Sequence, residues 1–347
     1  MGRGEIFLER VKKRELRIGV VGLGYVGLPT AISFYNSGFY VCGIDVSETV
    51  VNQINGQQNP IGDPSLDDKI PSPKSDRWEV TNSFSSTIPK CDVVVVTVPT
   101  PVNANKGMDP SFVVDAGRRI FSNISEKSET IIVLESTVYP GSTKEYWYPI
   151  VEELGLELGK DLWIAYCPER HNPGDKSNNI STVSRVIGCE SKDIGESLEI
   201  LYSELTSGQV NFVGDIEVAE SAKLIENVQR DINIALVNEL STILPELGVD
   251  VEEVLDAAST KWNFHRYKPG IGVGGHCIPV DPYFIIDQAK FTGKRANLVS
   301  SAREINESMP RHAADQIRKI LNSNYSDQSE KKSILILGWS YKADIGD

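Results

Sequence analysis

The chain has 347 residues, of which 40% are hydrophobic and 24% charged, and its formal net charge is −13. A chain of this length exceeds one comfortable hydrophobic core, so we expect two or more domains. The negative charge disfavours a nucleic-acid or anionic-membrane surface. Because no apolar run reaches the roughly 18 residues of a membrane span and the N-terminus has no signal-peptide core, we expect a cytoplasmic protein.

The cysteines are scattered and form no CxxC pair, which indicates reduced thiols and not a disulfide framework. They are Cys42, Cys91, Cys167, Cys189 and Cys277. The only close histidine–cysteine pair is His276–Cys277. Since adjacent residues rarely chelate one ion, we expect no metal site.

The first 136 residues alternate between apolar strands and helices. Short runs rich in Val and Ile predict strands that are buried on both faces. The predicted strands are residues 18–21, 40–46, 91–101 and 130–136. A helix follows the first strand, another begins after Asp109, and a Pro- and Ser-rich loop covers 57–77. Strands that alternate with helices predict an α/β fold with a doubly wound parallel sheet.

The pattern changes after about residue 205. Apolar residues recur at helical spacing from Val218 to Leu247, which predicts one long helix, and a second helical pattern covers 297–322. A polar linker then leads into 333–347, which begins like the strand and turn of another α/β unit. Since one strand cannot form a domain, we expect this last part to be truncated. The predicted domains are 1–205, 206–322 and 323–347.

Three glycines, Gly22, Gly24 and Gly27, lie between the first predicted strand and the first helix. In a GxGxxG turn the first glycine allows the tight bend, the second lets a pyrophosphate approach, and the third lets helix and strand pack. Asp45 closes the second strand, 18 residues beyond Gly27. A carboxylate there binds the adenosine ribose hydroxyls and repels a 2′-phosphate, which favours NAD over NADP. The alternative is a glycine turn of some other α/β protein.

A second group of glycines surrounds Cys277 in the stretch 272-GVGGHCIPVD-281. Loop cysteines are more often inert than catalytic, but the glycines here make room for a ligand and Asp281 is close. A nicotinamide enzyme with a cysteine nucleophile suggests aldehyde oxidation. The thiolate adds to the carbonyl, hydride leaves the thiohemiacetal, and water hydrolyses the thioester. These residues leave open where the aldehyde originates.

Longer motifs make the chain resemble the UDP-glucose/GDP-mannose dehydrogenase family over essentially its whole length. The motifs are GLGYVGLP (22–29), VPTPV (98–102), ESTVYPGST (135–143), CPERHNPGD (167–175), AKLIENVQRDINIALVNEL (222–240), KPGIGVGGHCIPVDPYF (268–284) and ILGWSYK (336–342). The resemblance implies oxidation of C6 of a nucleotide sugar from alcohol to carboxylate with two NAD. It implies a Rossmann-type NAD-binding domain over 1–205, an all-helical dimerisation domain with the cysteine loop over 206–322, and the first strand of a UDP-binding domain over 323–347.

Some motifs indicate which branch of the family, and so which nucleotide sugar, the chain resembles most. PERHNPGD, IENVQRDINIALVNEL and TKWNF are similar to UDP-N-acetylhexosamine 6-dehydrogenases, which use N-acetylglucosamine or N-acetylgalactosamine substrates. GVGGHCIPVDPY is similar to those and also to the UDP-N-acetylmannosamine enzymes. UDP-glucose dehydrogenases typically carry an aromatic residue and a lysine where this chain has Arg170 and Val280. The resemblance therefore favours UDP-N-acetylglucosamine and a role in surface-polysaccharide synthesis, with UDP-N-acetylmannosamine and UDP-glucose as alternatives.

The resemblance implies that Cys277 is the nucleophile. Lys223 and Asn227 lie at i and i+4 of the long helix, so both side chains can reach one oxygen. Lys223 would stabilise the oxyanion that develops at C6, and Asn227 would add a hydrogen bond. The alternative for Lys223 is a solvated surface lysine.

Asp281 and Thr137 are implied to hold a water that accepts the proton in the first oxidation. Glu169 is the candidate base for thioester hydrolysis, and a loop salt bridge is its alternative. The implied cofactor contacts are Gly22, Gly24, Tyr25, Val26, Gly27, Asp45, Pro99, Thr100 and Thr137. The implied substrate contacts are Glu169, Arg170, His171, Asn172, Lys223, Asn227, Arg230, Tyr267, Lys268, Gly274 and Lys342.

Val50 departs from the family, which usually has Lys or Arg five residues after the ribose aspartate. The resemblance also implies a homodimer through the long helix. One rival function is a two-electron hydroxyacid dehydrogenase with Lys223 and Asn227 but no working thiol. Another is a non-catalytic protein that binds a nucleotide sugar.

Overall fold

The computed structural model describes residues 3–103, 106–124, 128–170, 177, 179–275, 277–324 and 333–338. The chain divides into two compact units, of which the first runs to Lys223 and the second begins at Leu224. This division falls inside one long helix and not at the end of an element. The predicted domain boundaries after residues 205 and 322 stay a prediction.

An eight-stranded sheet forms the centre of the first unit. Its strands are β1 (Arg17–Val21), β2 (Tyr40–Ile44), β3 (Trp78–Thr81), β4 (Val93–Val96), β5 (Thr130–Leu134), β6 (Leu162–Tyr166), β7 (Arg185–Cys189) and β8 (Val210–Phe212). They lie in the order β3-β2-β1-β4-β5-β6-β7-β8. Every neighbouring pair is parallel except β6 and β7. The first six strands follow the order of dinucleotide-binding sheets, which confirms the predicted doubly wound fold.

Helices cover both faces of this sheet, because its central strands are apolar along their whole length. The four valines of β4, for example, are all fully buried. The helices of the first unit are α1 (Arg3–Lys13), α2 (Gly27–Asn36), α3 (Glu48–Asn55), α4 (Phe84–Thr87), α5 (Ser111–Phe121), α6 (Ser142–Glu153) and α7 (Lys192–Ser203). Since β1 to β6 are mutually parallel, their carboxyl ends open onto one edge of the sheet.

Over the residues that the structure describes, the regular elements of the second unit are helices. It contains most of α8 (Ile216–Ile243), followed by α9 (Val251–Ala258), α10 (Asp281–Phe291) and α11 (Asn297–Asn324). These bounds confirm the two long helices predicted from apolar periodicity. Helix α8 ends two residues before Pro245, and a 3₁₀ turn over Leu244–Leu247 follows it. None of the helices described is both long and apolar enough to cross a membrane.

Helix α8 carries both exposed apolar side chains and buried polar ones. Ile225, Leu236 and Ile243 are 60%, 51% and 47% exposed, whereas Asp231 and Asn238 are fully buried. With about 100° between successive residues, the three apolar side chains share one stripe and the two polar ones lie nearly opposite. The helix thus turns some polar groups inward and some apolar groups outward, in addition to the apolar residues that it buries.

Residues 333–338 carry no regular secondary structure, although the sequence predicts a strand there. The side chains from Ile334 to Leu337 are all exposed. A strand is stabilised by hydrogen bonds to a neighbour, and an apolar β pattern alone does not supply one. The assignment of this segment to a UDP-binding domain stays a prediction.

Candidate active site

The glycine turn between β1 and α2 is shaped by packing as well as by backbone conformation. Gly22 has a φ of +90°, which disfavours any residue with a side chain. A Cβ on Gly27 would lie 1.7 Å from the Gly22 oxygen and 2.4 Å from Thr97 Oγ1, so only glycine fits. Gly24 is exposed and a Cβ there would meet no atom within 4 Å. The turn is therefore closed on its core side and open on its outer side.

Asp45 holds the turn from the end of β2. Its Oδ2 accepts a hydrogen bond from the Leu23 backbone N–H at 2.8 Å, and its Oδ1 accepts one from Ser47 N–H at 2.8 Å. The carboxylate thus joins the glycine turn to the start of α3, beside the open face. Val50, at the position that departs from the family, packs against the hydrophobic core.

Two loops meet at the carboxyl ends of β4 and β5. Thr100 Oγ1 donates to the Thr137 carbonyl at 2.7 Å, and Ser136 Oγ donates to the Val98 carbonyl at 2.6 Å. Thr100 and Thr137 are half-buried, and Pro99 is exposed. These predicted cofactor residues therefore lie together, at the strand ends where ligands of doubly wound sheets bind.

The first unit fits a dinucleotide. Pyrophosphate can approach the open backbone at Gly24, next to Tyr25, which is 40% exposed, and the half-buried Val26. The N-terminus of α2 faces the same turn and favours negative charge. Sheet order, glycine turn and terminal carboxylate together define a protein of the Rossmann dinucleotide-binding class.

Glu169, after β6, lies in a cluster of buried charges. The Arg185 guanidinium contacts Glu169 Oε2 at 2.5 Å through Nη2 and Glu135 Oε1 at 3.6 Å through Nη1. Burial raises the pKa of Glu135 to about 7, because Arg185 offsets the desolvation only in part and Glu169 adds repulsion. Tyr202 donates a hydrogen bond to Glu135 at 2.8 Å. Glu169 therefore does form a salt bridge, which was the alternative to its role as a base.

Lys223 reaches the backbone of the same loop. Its Nζ donates to the Glu169 carbonyl at 2.8 Å, and the side chain is half-buried. The Arg170 backbone N–H donates to Glu169 Oε1 at 2.7 Å, while Arg170 Nη1 donates to the Ser184 carbonyl at 3.1 Å. The predicted residues Glu169, Arg170 and Lys223 thus meet within the first unit.

The second unit brings together Asn227, Asp281 and the loop that carries Cys277. Asn227 Nδ2 donates a hydrogen bond to Asp281 Oδ2, and Asp281 is only 3% exposed. The Cys277 carbonyl accepts hydrogen bonds from the backbone N–H groups of Val280 and Asp281, at 3.0 and 2.8 Å. Cys277 is exposed, whereas the other four cysteines are buried. Its thiol is therefore accessible on a loop whose carboxyl side is held by α10.

A basic cavity of about 830 Å³ opens beside this loop. Three of the predicted substrate residues, Arg230, Tyr267 and Lys268, line it. The wall also includes Arg266, whose guanidinium contacts Glu252 and Asp256. The predicted residue Gly274 is half-buried in the neighbouring loop, with a φ of +67°. Positive side chains around a cavity of this size suit an anionic small molecule.

His171, Asn172 and Lys342 lie outside the described residues, so the structure does not place these three predicted contacts. Over the residues that are described, no three His, Cys, Asp or Glu side chains form a group that could hold a metal ion. Sequence reasoning missed Arg185, although an arginine inside the apolar run RVIGC is a signal of a buried ion pair. It also missed four buried polar residues on α8 and α11, which show no comparable local signal: Asp231, Asn238, Arg303 and Asn306.

Comparison with known proteins places the chain within one family. Residues 16–206 match the NAD binding domain of the UDP-glucose/GDP-mannose dehydrogenase family, and residues 217–308 match its central domain. The chain belongs to this family. It is therefore a nucleotide-sugar dehydrogenase, an oxidoreductase whose cofactor is NAD. The predicted family, enzyme class and cofactor are confirmed.

Several relatives cover nearly the whole chain. Protein CapL of Staphylococcus aureus is 37% identical over 95% of this chain and 76% of its own length. UDP-N-acetyl-D-glucosamine 6-dehydrogenase of Pseudomonas aeruginosa is 36% identical over 96% of this chain and 77% of its own. The solved structure of a UDP-D-ManNAc dehydrogenase from Pyrococcus horikoshii has a TM-score of 0.82 and 34% identity, over 89% of this chain and 72% of that one.

Proposed function

We propose that this protein oxidises the C6 hydroxyl of a UDP-N-acetylhexosamine to the carboxylate in two NAD-dependent steps, and that the sugar is N-acetylglucosamine. The observation that carries the proposal is the exposed Cys277 thiol, on a glycine loop beside the basic cavity and the Asn227–Asp281 pair. An accessible thiol so placed converts an alcohol dehydrogenase into an acid-forming enzyme, since it captures the aldehyde.

In the first oxidation the C6 hydroxyl loses its proton and the C6 carbon loses a hydride, which leaves an aldehyde. NAD, when bound at the glycine turn, supplies the hydride acceptor. The family resemblance assigns to Asp281 and Thr137 the water that takes the proton. Lys223 and Asn227, one turn apart on α8, stabilise the negative charge at the C6 oxygen through an ammonium group and an amide N–H.

In the second oxidation the Cys277 thiolate adds to the C6 aldehyde and forms a thiohemiacetal. Loss of a proton and of a second hydride, for which a second NAD would be the acceptor, leaves a thioester, which water cleaves to the carboxylate and the thiol. Glu169 serves as the base for this water, and its ion pair with Arg185 fixes the direction of the carboxylate. The hydrogen bond from Lys223 to the Glu169 carbonyl supports the same loop.

The nucleotide part of the substrate needs positive charge and hydrogen-bond donors. Arg230, Tyr267 and Lys268 offer both in the basic cavity, where a diphosphate can be held. The family resemblance assigns Arg170, Gly274, His171, Asn172 and Lys342 to the substrate as well. Because binding energy from this remote part orients C6, its loss lowers kcat as well as raising KM.

UDP-N-acetylglucosamine is preferred because relatives with that substrate in their names reach 36% identity, against 35% for those named for UDP-N-acetyl-D-mannosamine. The difference is small, so UDP-N-acetylmannosamine is the second candidate. UDP-glucose is the third candidate. UDP-glucose dehydrogenases typically carry an aromatic residue and a lysine at the positions of Arg170 and Val280. The uronic acid product suits surface-polysaccharide synthesis in the cytoplasm, where thiols such as Cys277 stay reduced.

The deciding experiment incubates the protein with NAD and each UDP-sugar in turn and counts NADH formed per sugar consumed. Two NADH per UDP-N-acetylglucosamine, with an acid as product, is the expected result. One NADH would mean a two-electron dehydrogenase. Binding of UDP-sugar without any NADH would mean a nucleotide-sugar-binding protein and would refute the catalytic proposal. Faster turnover of another sugar would reassign the substrate.

We propose further that two copies associate through the outward stripe of α8, which consists of Ile225, Leu236 and Ile243. Exposed apolar side chains in one continuous stripe are typical of an interface. Leu236→Glu should shift the molar mass measured by light scattering from dimer to monomer. A matched change on the neighbouring exposed position, Glu239→Gln, should leave the mass of the dimer unaltered. A monomeric starting protein would contradict this assignment.

A further inference from the structure

The cysteine loop is held at both ends by buried side chains from two helices. At its beginning, the Gly270 backbone N–H donates to Asn238 Oδ1 of α8 at 2.8 Å. Next to Cys277, the Ile278 carbonyl accepts from Arg303 Nη1 of α11 at 3.3 Å. These two anchors flank the flexible glycines of the loop, and both come from residues distant in the sequence.

The two anchors belong to one continuous path of hydrogen bonds. Asn238 Nδ2 donates to Asn306 Oδ1 at 2.8 Å, and Asn306 Nδ2 donates to Asp231 Oδ1 at 2.8 Å. Arg303 Nη1 donates to the same Asp231 oxygen at 2.7 Å. The four side chains are at most 4% exposed. Polar contacts therefore lead without a break from Gly270 to the residue after Cys277.

Such a network is not required for packing two helices together. Two amides and an ion pair are costly to bury, and apolar side chains of the same volume would often stabilise a helix interface as well or better. The cost is visible at Asp231, where burial raises the pKa although Arg303 and Asn306 act to lower it. Apolar residues at these positions could not form the two hydrogen bonds to the loop backbone, at Gly270 and at Ile278.

Asp231 and Asn238 also lie on the face of α8 that carries Asn227. The spacings of four and eleven residues from Asn227 place all three within about 40° around the helix. Asn227 binds Asp281, at the carboxyl end of the loop. One polar face of α8 therefore contacts the loop at its beginning, through Asn238, and at its end, through Asn227.

We infer that Asp231, Asn238, Arg303 and Asn306 are positioning residues for Cys277, acting through the backbone of its loop. The inference rests on the proposed function, in which Cys277 must attack an aldehyde carbon. A nucleophile has to be held within a fraction of an ångström, and a loop rich in glycine cannot do so by itself. The buried network supplies the missing rigidity.

The test breaks the network far from the thiol. Asn306→Leu keeps the branched shape and the number of side-chain heavy atoms and removes the central link, and Arg303→Met removes the anchor at Ile278. Both should lower kcat by about tenfold or more, with little change in the KM for UDP-sugar or in NAD affinity. Arg303→Lys, which keeps a cation for Asp231 and the Ile278 carbonyl, should recover part of the lost kcat.

A second readout does not depend on turnover. Cys277 is the exposed one of the five cysteines, so intact-mass measurement of iodoacetamide addition to the folded protein follows this thiol alone. In Asn306→Leu the rate of addition should change by about threefold or more, since the loop no longer holds one geometry. The alkylation rate tests the positioning of Cys277 even if no UDP-sugar is oxidised. A lack of oxidation would refute the proposed function but not the inference that the network positions Cys277.

Leu255→Ala provides the matched control, because Leu255 is 2% exposed in α9 and its truncation weakens the same unit without touching the network. It should lower the melting temperature comparably while leaving kcat and the alkylation rate at wild-type values. The inference is overturned if Asn306→Leu lowers only the melting temperature, or if Leu255→Ala alters alkylation and kcat equally.

Discussion

The two glycine-rich segments, the turn at 22–27 and the loop at 270–275, use glycine for different physical reasons. In the turn, a side chain on Gly27 would overlap the Gly22 carbonyl at 1.7 Å. In the loop, Gly272 has a φ of +146°, yet a Cβ there would meet no atom within 4 Å. The turn therefore needs glycine because it is crowded, and the loop needs glycine because of its backbone conformation and its accessibility.

The supports behind the two segments also differ. The turn is held from the ends of the two strands next to β1, since Thr97 Oγ1, after β4, donates to the Gly22 carbonyl at 2.7 Å and Asp45, after β2, accepts from Leu23 N–H. The loop is held by Asn238 and Arg303, which come from helices before and after it in the chain. The ends of adjacent parallel strands hold the first segment, whereas the packing of two helices holds the second.

Buried charges lie in both units but are balanced differently. In the second unit the guanidinium of Arg303 contacts Asp231 at 2.7 Å. In the first unit Arg185 contacts Glu135 at 3.6 Å and is shared with Glu169. Burial raises the pKa of both carboxyls, and that of Glu135 reaches about 7, where Arg185 offsets the burial only in part and Glu169 adds repulsion. We therefore expect the stability of the first unit, which contains the sheet, to depend on pH.

The largest effect should come from the chemistry of the loop. Cys277→Ser should lower acid formation by at least about a thousandfold, because a serine hydroxyl is not ionised at neutral pH and captures the aldehyde poorly. Calorimetry should find NAD affinity unchanged, since the turn is untouched. The same change at the buried Cys42 is the control and should preserve acid formation. Equal acid formation by both variants would remove Cys277 from the mechanism.

The second test places the same substitution in both segments. Gly27→Ala should destabilise the protein by about 3 kcal/mol or more and abolish NAD binding, because the new methyl group has no space. Gly272→Ala adds only backbone strain, about 1 kcal/mol, and should lower kcat while NAD affinity is retained. Denaturant unfolding and calorimetry measure both quantities. Comparable loss of NAD affinity in the two variants would contradict the distinction.

The third test is a pH titration of stability. Folding raises the pKa of Glu135 from 4.5 to about 7, so the unfolded chain releases this proton first as pH increases. The contribution of Glu135 to the free energy of unfolding is fully present below about pH 4.5 and is lost as pH rises towards 7. The change is on the order of 2 to 3 kcal/mol. Glu135→Gln should flatten melting temperature against pH over this window. Glu152→Gln, at an exposed site, should not.

The smallest effect should appear at the ribose carboxylate. Asp45→Asn keeps an oxygen that can accept from Leu23 N–H but removes the charge that repels a 2′-phosphate. The preference for NAD over NADP, taken from kcat/KM with each cofactor, should fall by about tenfold, which corresponds to about 1.4 kcal/mol. An unaltered preference would mean that another group excludes the phosphate.

The sequence by itself predicted the parallel sheet, its glycine turn, the two long helices and the family. Each of these rests on local information, since strand and helix periods, turn glycines and motifs are read over a few to about thirty residues. It also predicted which residues to examine at the site, and Arg230, Tyr267 and Lys268 do line one cavity.

Only the tertiary structure decided which partner each buried polar group has. The antiparallel pairing of β6 with β7 brings Arg185 to Glu169, and the packing of α11 on α8 brings Arg303 to the cysteine loop. It also decided that Ile225 and Leu236 point outward, because periodicity locates an apolar stripe but not what it faces. A buried charge must find its counter-ion anywhere in the chain, and that choice is made by long-range packing.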